Sequence, residues 1–467
     1  MKGFVPTPRA TVDTLVELLF RRRQPCANDE LLDPGCGTGE FVDGVIRWCE
    51  RRRVAIPRIT GVELDPRHLP LLRAKYKNVR AVQIRHEDFL ADHGTSYDFV
   101  VGNPPYVSIT ALSESEKTMY RARYATAYGR FDLYLLFFEQ ALRNLAPGGR
   151  LVFITPEKYV YVDTAGPLRE LLAQHHVEEI RFAREDTFGG LVTYPTLTVV
   201  RKAPPGTTKV RRRDGSVERL SLQAGRRSWL PLIEGSEPQP AGATLGDLCV
   251  RISCGVATGA DNVFVWRAED IDSEFEHFAH PTIAGRQLTP ETTDLPRRFV
   301  MLVPYTGDGQ LLPMAELAAF GKYLRQNSIR QRLLGRTCVK HKPWYAFHET
   351  PVLSQILRPK ILCKDIGQVP RFWVDGTGEF VPRHSVYYIV PKRPEAIDAI
   401  ASYLGTRSAH RWLERNCQRA SKGFLRLQSG VLKRLPLPDE IVRAAGGIAK
   451  PVQSRLSRRQ SRLAFMG

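Results

Sequence analysis

The sequence has few of the features that mark secreted, membrane and metal-binding proteins. It holds eight cysteines in 467 residues, and the closest pair, Cys249 and Cys254, does not have the CxxC spacing of zinc and redox sites. No apolar run approaches the length that spans a bilayer. The N-terminus lacks the basic-then-apolar pattern of a signal peptide. These absences argue against a disulfide framework and predict a cytoplasmic protein with no membrane segment and no metal centre.

Acidic residues are scarce only in the second part of the chain. Residues 1–200 contain 26 basic and 25 acidic side chains, whereas residues 201–467 contain 42 and 24. Nearly all of the net charge of +19 therefore belongs to the second part. A solubilising surface would not need this asymmetry. The distribution predicts a near-neutral catalytic module joined to a module that binds a polyanion.

Apolar runs alternate with helical patterns over the first 200 residues. Thr7 and Pro8 predict a helix start, with Thr7 as N-cap and Pro8 as the first helical residue. A helix over 133–145 is ended by a Pro-Gly-Gly sequence. Strands are predicted at 31–32, 59–62, 82–84, about 97–102 and 151–154, and a closing hairpin at 177–182 and 196–200. This rhythm predicts an α/β fold with a doubly wound, mostly parallel sheet.

Changes in composition predict the domain boundaries. We expect a catalytic domain over residues 1–203 and, because 204–243 is rich in proline and arginine with weak periodicity, a connecting segment there. Residues 244–440 look globular, with short mixed α+β elements. Residues 441–467 are predicted to be a basic tail.

Three successive strand ends carry residues suited to a nucleoside ligand. Gly35, Gly37 and Gly39 follow the first strand and would let the backbone approach a ligand, although the same pattern fits dinucleotide binders. Glu63 ends the second strand, where a carboxylate can accept from both ribose hydroxyls. Asp88 ends the third and could accept from an adenine amino group. Phe89 follows it and could line the ring pocket.

The fourth strand ends in Asn103-Pro104-Pro105-Tyr106, which suits a planar amine held against an aromatic ring. Asn103 supplies an amide acceptor, and the prolines stiffen the turn and leave a backbone carbonyl as a second acceptor. Tyr106 offers a flat face for stacking. The tetrapeptide therefore predicts amine chemistry.

Together these motifs resemble the gamma-class DNA adenine-N6 methyltransferases. The resemblance covers residues 4–200, including Gly129-Arg130-Phe131-Asp132-Leu133-Tyr134, and is weaker beyond 240, where Ala284-Gly285-Arg286-Gln287-Leu288 and Leu432–Pro438 are similar to such recognition domains. It implies an S-adenosylmethionine-dependent, Rossmann-like catalytic domain with a C-terminal target-recognition domain. By the resemblance, the contacts with S-adenosyl-L-methionine would be made by Thr7, Asp33, Gly35, Gly37, Glu63, Asp88 and Phe89.

The resemblance also implies the substrate and its contacts. Asn103, Pro104, Pro105 and Tyr106 would hold an adenine flipped out of double-stranded DNA. Phe188 would stack on the other side of the base, with Tyr194 as a nearby competitor. The expected enzyme is a monomeric modification enzyme of a restriction-modification system, with a possible cognate endonuclease as partner.

Other substrates remain open at this point. The same tetrapeptide serves enzymes that methylate guanine N2 in RNA or a glutamine amide in proteins, and a non-catalytic DNA-binding subunit is a further alternative. The basic second part favours DNA. Its candidate contacts, interleaved with Trp266, Phe372, Trp373 and Phe424, are Arg251, Arg286, Lys364, Arg371, Arg383, Lys422 and Arg426.

Overall fold

The computed structural model describes residues 6–91, 94–183, 194–222, 225, 228–233, 242–419 and 424–447. The chain divides into two units, residues 1–234 and 235–467. Within the described ranges, no helix combines the length and apolar character needed to cross a membrane.

The first unit alternates strands and helices as the sequence predicts. Its elements are α1 Arg9–Phe20, β1 Glu30–Asp33, α2 Glu40–Arg52, β2 Arg58–Glu63, α3 Leu69–Tyr76, β3 Val82–His86, β4 Tyr97–Gly102, α4 Glu114–Arg123, α5 Leu133–Arg143, β5 Leu145–Pro156, α6 Gly166–Leu172, β6 His176–Phe182, β7 Pro195–Arg201, β8 Thr208–Arg211, β9 Val217–Leu220 and α7 Leu230–Ile233.

In the described part of this unit the strands form one nine-stranded sheet, in the order β3-β2-β1-β4-β5-β7-β6-β8-β9. Strands β3, β2, β1, β4 and β5 are parallel, and β7 runs antiparallel between β5 and β6. The order reverses between β1 and β4. In open α/β sheets, ligands bind beyond the carboxyl ends of the strands at such a reversal.

Both faces of the sheet are buried by helices. Successive strand residues point to opposite faces, so Leu31 packs with α1 and α2 while Leu32 packs with α5 on the other side. Phe99 and Val100 of β4 divide between the same two clusters. This two-sided burial is typical of parallel sheets and confirms the doubly wound fold.

The predicted connecting segment is in part a continuation of the sheet. Strand β8 pairs in parallel with β6, and β9 pairs antiparallel with β8. Trp229, which precedes α7, is 2% exposed and lies in the core of the first unit. The boundary at residue 203 is therefore wrong, because pairing at the edge of the sheet outweighs the weak periodicity of this segment.

The first helix begins one residue later than the sequence predicts. Its N-cap is Pro8, with no side-chain capping bond, and Arg9 is its first residue. The Thr7 hydroxyl is instead engaged by another side chain, described below. Strand β5 begins earlier than the predicted 151, at Leu145, and it includes Gly148, which has φ of 78°.

The second unit is built of short mixed elements, as expected. They are α8 Leu245–Leu248, β10 Cys249–Cys254, α9 Asp261–Phe264, β11 Val265–Arg267, β12 Ala279–Ile283, β13 Phe299–Leu302, α10 Ala318–Arg325, α11 Asn327–Leu334, α12 Leu353–Ile356, β14 Lys360–Lys364, β15 Ile366–Gly367, β16 Phe372–Asp375, β17 Val381–Pro382, β18 Val386–Pro391, α13 Ile397–Leu404, α14 Arg407–Asn416, β19 Gln418–Arg419, β20 Leu425–Arg426, α15 Ser429–Lys433 and α16 Asp439–Ala444. The predicted boundary at residue 440 is wrong because it falls inside α16, whose Val442 is buried.

The central sheet of this unit, β10-β18-β14-β16, separates two apolar clusters. Leu362 of β14 belongs to one, and its neighbours Ile361 and Cys363 belong to the other. The same strand begins with Lys360, which is fully buried and lies 2.5 Å from the carboxylate of Asp375 on β16. Burial lowers the pKa of Lys360, while Asp375 opposes that shift. The sheet thus carries an ion pair in its interior.

Candidate active site

A cavity of about 370 Å³ opens beyond the carboxyl ends of β1, β2, β3 and β4. It lies at the reversal of strand order, where the fold places ligands. Its walls bring together seven of the residues predicted from the sequence: Thr7, Gly35, Glu63, Asp88, Phe89, Asn103 and Pro105. Segments separated by as much as 98 positions in the chain therefore converge on one cavity.

The glycine loop orients the Glu63 carboxylate. Gly37, with φ of 55°, donates its backbone N–H to Glu63 Oε2 at 2.8 Å. The backbone N–H of Asp65 donates to Oε1 at 2.6 Å. Each oxygen of a carboxylate has two lone pairs, so both keep accepting capacity for a ligand. Gly37 itself is not in the cavity wall, and acts on the site through Glu63.

Tyr76 of α3 is a supporting residue that the sequence analysis missed. Its hydroxyl donates towards the Gly39 carbonyl at 2.9 Å and lies 2.8 Å from a carboxylate oxygen of Asp43. Gly39 has φ of 91°, a conformation that favours glycine, and a side chain there would collide with the Tyr76 hydroxyl. Burial and the Asp43 carboxylate raise the pKa of Tyr76. Tyr76 therefore fixes the end of the loop.

Asp88 and Phe89 lie in the wall of the cavity, and a ring that the sequence did not indicate joins them. One Asp88 carboxylate oxygen accepts from the Leu90 backbone N–H at 2.9 Å. The ring of Phe137, on α5, packs against Phe89 with centroids 5.2 Å apart and also lines the cavity. Tyr120, on α4, adds another aromatic side chain to the wall. Periodicity alone would place both in the core.

Asn103 stands at the end of β4 with its amide oriented by the start of the chain. Its Nδ2 donates to the Thr7 hydroxyl at 3.0 Å. The segment that follows is held in place because Ile109 N–H donates to the Phe131 carbonyl, and Leu133 N–H donates to the Val107 carbonyl. The tetrapeptide is thereby fixed between β4 and α5.

Other predicted residues lie outside the cavity wall. Asp33 is fully buried, and its burial raises the pKa of that carboxyl well above the usual range, while the nearby Gly35 backbone N–H opposes the shift. Pro104, which follows Asn103 in the chain, is buried. Tyr106 is half-buried, with its ring edge-on to Tyr134 at 6.3 Å and its hydroxyl 3.4 Å from the Ile154 carbonyl.

Of the two aromatic residues considered for stacking, Phe188 lies outside the described residues. Tyr194 is described, and the Arg213 guanidinium lies over its ring, 4.8 Å from the centroid. Arg213 also pairs with Glu157 at the end of β5. Its position on the β8–β9 turn explains why sequence reasoning did not connect it with this region. This contact occupies one side of the Tyr194 ring.

Comparisons with known proteins agree on one class. Residues 70–188 match the family described as Eco57I restriction-modification methylase. The chain is 27% identical to the Type II methyltransferase M.PaeR7I of Pseudomonas aeruginosa, over 94% of this chain and 86% of that protein. It is 26% identical to the Type II methyltransferase M.XhoI of Xanthomonas vasicola, over 97% and 93%.

A solved structure supports the fold over nearly the whole chain. The Type IIL restriction-modification enzyme MmeI, determined in complex with DNA, matches with a TM-score of 0.62 and 12% identity. The match covers 91% of this chain and 64% of that protein. The fold and the sequence relatives together support a methyltransferase of the restriction-modification type, with S-adenosylmethionine as its cofactor.

The cavity fits this cofactor in its chemistry. Glu63 and Asp88 provide acceptors for hydroxyl and amino groups, and Phe89 and Phe137 provide apolar ring faces. Gly35 lines the wall, and a β-carbon there would meet protein atoms only at 3.8 Å, so the loop allows a close approach.

Proposed function

We propose that this chain is a site-specific DNA methyltransferase that methylates the N6 amine of adenine in double-stranded DNA. Its role would be that of the modification enzyme of a restriction-modification system. The observation that carries the proposal is that Asn103 shares one cavity with Glu63 and Asp88. A polar amide that suits an aromatic amine therefore lies beside groups that suit a nucleoside cofactor.

Six wall residues have a proposed contact with the cofactor. Glu63 would accept from the ribose hydroxyls, Asp88 from the adenine amino group of the cofactor, and the rings of Phe89 and Phe137 would flank its base. Thr7 and the Gly35 backbone would contact the remainder, with Asp33 and Gly37 supporting the loop. S-adenosylmethionine, when bound, supplies an electrophilic methyl group on a sulfonium centre.

The chain's own residues would contribute to the reaction by activating adenine N6, which is a weak nucleophile. The lone pair of adenine N6 is delocalised into the ring. Asn103 Oδ1 and the Pro104 carbonyl would accept hydrogen bonds from the two N–H groups of that amine, pull the nitrogen towards a tetrahedral shape and localise its lone pair. Acceptors fixed in advance are worth most in a site sheltered from water. The Asn103–Thr7 hydrogen bond supplies this fixation.

The target base must leave the duplex to reach Asn103. Unstacking costs a few kcal/mol. Stacking on an aromatic side chain returns about 1–3 kcal/mol per base. We assign this stacking to Tyr106 and Phe188. The basic second unit would act as the target-recognition domain, and a cognate endonuclease would be the functional partner.

Parallel assays of methyl incorporation test the substrate class. We expect tritium transfer from labelled S-adenosylmethionine to double-stranded DNA, and not to RNA or protein from the same cells. Nucleoside mass spectrometry should then identify 6-methyladenine. Incorporation into RNA or protein alone, or a different methylated base, would contradict the proposal.

Glu63→Gln should weaken cofactor binding about 10- to 100-fold, because hydrogen bonds to charged groups are worth about 1.5–3 kcal/mol. The amide has one acceptor oxygen, whereas the Gly37 and Asp65 N–H groups each need one. Titration calorimetry with S-adenosylmethionine measures the effect. The control is Glu30→Gln. Glu30 begins β1, at the end of the strand away from the cavity, and its carboxylate pairs with exposed Arg58. Equal affinities for the two variants would remove Glu63 from the cofactor site.

A further inference from the structure

Three segments of the second unit line a pocket that shares no wall residue with the active-site cavity. The pocket has a volume of about 410 Å³, and its wall consists of Asp261, Ala284, Arg286, Arg383, His384 and Ser385. The Arg383 backbone N–H donates to the Ile283 carbonyl at 2.9 Å, and Gly285 N–H donates to the Ser385 hydroxyl at 2.9 Å. A β-carbon on Gly285 would lie 2.9 Å from the Ser385 carbonyl oxygen. The pocket is therefore built into the packing of the unit.

Arg383 is the fixed element of this pocket. Its residue surface is 5% exposed, and one Nη donates to Gln287 Oε1 at 2.8 Å. The other Nη lies 3.6 Å from the Asp261 carboxylate. Among the described residues, its buried Nε has no hydrogen-bond acceptor. Since a guanidinium carries five N–H donors, Arg383 retains donor capacity for a ligand.

Arg286 adds a second, exposed positive charge to the same wall. Burial lowers the pKa of Arg383, Asp261 opposes this shift, and the charge of Arg286 lowers the pKa further. The two guanidinium groups are thus close enough to repel each other, and the one carboxylate in the wall is itself 36% exposed. An anion in the pocket would relieve this repulsion.

We propose that the pocket binds a backbone phosphate of double-stranded DNA, with Arg383 as the fixed contact and Arg286 as the exposed one. This inference rests on the proposed function and identifies one anchoring point for its substrate. A side chain that reads base edges must project into a groove, whereas Arg383 is recessed. A recessed cluster of donors, which also includes the Ser385 hydroxyl, suits the several oxygens of a phosphate.

Salt dependence of DNA binding tests the phosphate contact. A plot of log affinity against log salt has a negative slope. Arg286→Ala should reduce the magnitude of that slope by about 0.9, the value for one lost phosphate contact. The factor by which the variant binds DNA more weakly than the parent protein should then shrink about 3.5-fold when the salt concentration is raised fourfold. The control is Arg407→Ala, which removes an exposed charge at the start of α14 in the same unit. Fluorescence anisotropy with a labelled duplex provides the measurement.

A duplex with single neutral methylphosphonate linkages locates the contact. At one linkage, the substitution should weaken binding by the parent and by Arg407→Ala, and it should weaken binding by Arg286→Ala less, because only the Arg383 contact is then left to lose. Arg383→Lys keeps the charge but loses the planar fork of donors, so the same linkage effect should be reduced, and thermal unfolding checks that this variant is folded.

The outcomes separate this inference from the proposed function. A parent protein that methylates DNA, while Arg286→Ala keeps the parental slope and linkage pattern, contradicts the phosphate site alone. A change of base preference in Arg286→Ala would also overturn it, because the pocket would then hold a base edge. A parent that binds DNA but methylates only another substrate contradicts the proposed function. A parent that binds no DNA contradicts both.

Discussion

Asn103→Ala should lower methyl transfer by at least about 100-fold, the scale on which one preorganised hydrogen-bonding group contributes to catalysis. Alanine removes the amide oxygen that would accept from the target amine. It also releases Thr7, whose hydroxyl accepts from Asn103 Nδ2. The measurement is single-turnover tritium transfer to DNA at saturating cofactor and substrate.

Cofactor affinity separates a catalytic defect from a collapsed site. Titration calorimetry should give an affinity for S-adenosylmethionine within a few-fold of the parent value, because Glu63, Asp88 and Phe89 are untouched. Asn28→Ala, at an exposed position of the same unit, is the matched control and should leave both quantities unchanged. Methyl transfer at the parental rate by the Asn103 variant would refute the proposed role of Asn103 as an acceptor for the target amine.

Lys360→Met should destabilise the second unit by about 3–5 kcal/mol, which is the usual cost of removing one partner from a buried ion pair. The methionine would fit the volume, but it would leave the Asp375 carboxylate buried without its cation. Among the described residues, Asp375 would keep its contacts with the backbone N–H groups of Gly378 and Phe380 and the Thr377 hydroxyl. Equilibrium urea denaturation measures the change.

The matched control is an exposed pair in the same unit. Arg267 lies 2.9 Å from Glu269, and both side chains are largely exposed, so Arg267→Met should leave the denaturation midpoint unchanged. A shift of the Lys360 variant no larger than that of this control would show that the interior pair contributes little to stability.

The strand ends of the catalytic part could be predicted from the sequence because local signals coincide there. Apolar runs end at Asp33, Glu63 and Gly102, each of which is itself a polar or turn-forming residue. In a parallel sheet these ends lie on one edge. Convergence of Gly35, Glu63 and Asn103 on one cavity follows from the topology alone.

The helical side of the cavity could not be predicted in this way. Phe137 and Tyr120 occupy positions that periodicity assigns to the core, and only the docking of α4 and α5 turns them towards the cavity. Two aromatic residues of the second part lie in its interior. Trp266, which is interleaved in the sequence with the candidate DNA contacts, packs against Phe275 and Tyr323, and Trp373 is 9% exposed. Lys422 lies outside the described residues.

The extension of the sheet by β8 and β9 determines where a catalytic fragment can be cut. A fragment that stops at residue 203 would lose β8 and leave β6 as an open edge, which invites pairing with other chains. It would also lose Trp229 from the core and Arg213 from its contact with Tyr194. Residue 234 is the nearest boundary that keeps these groups, so expression of the catalytic unit by itself should be designed around it.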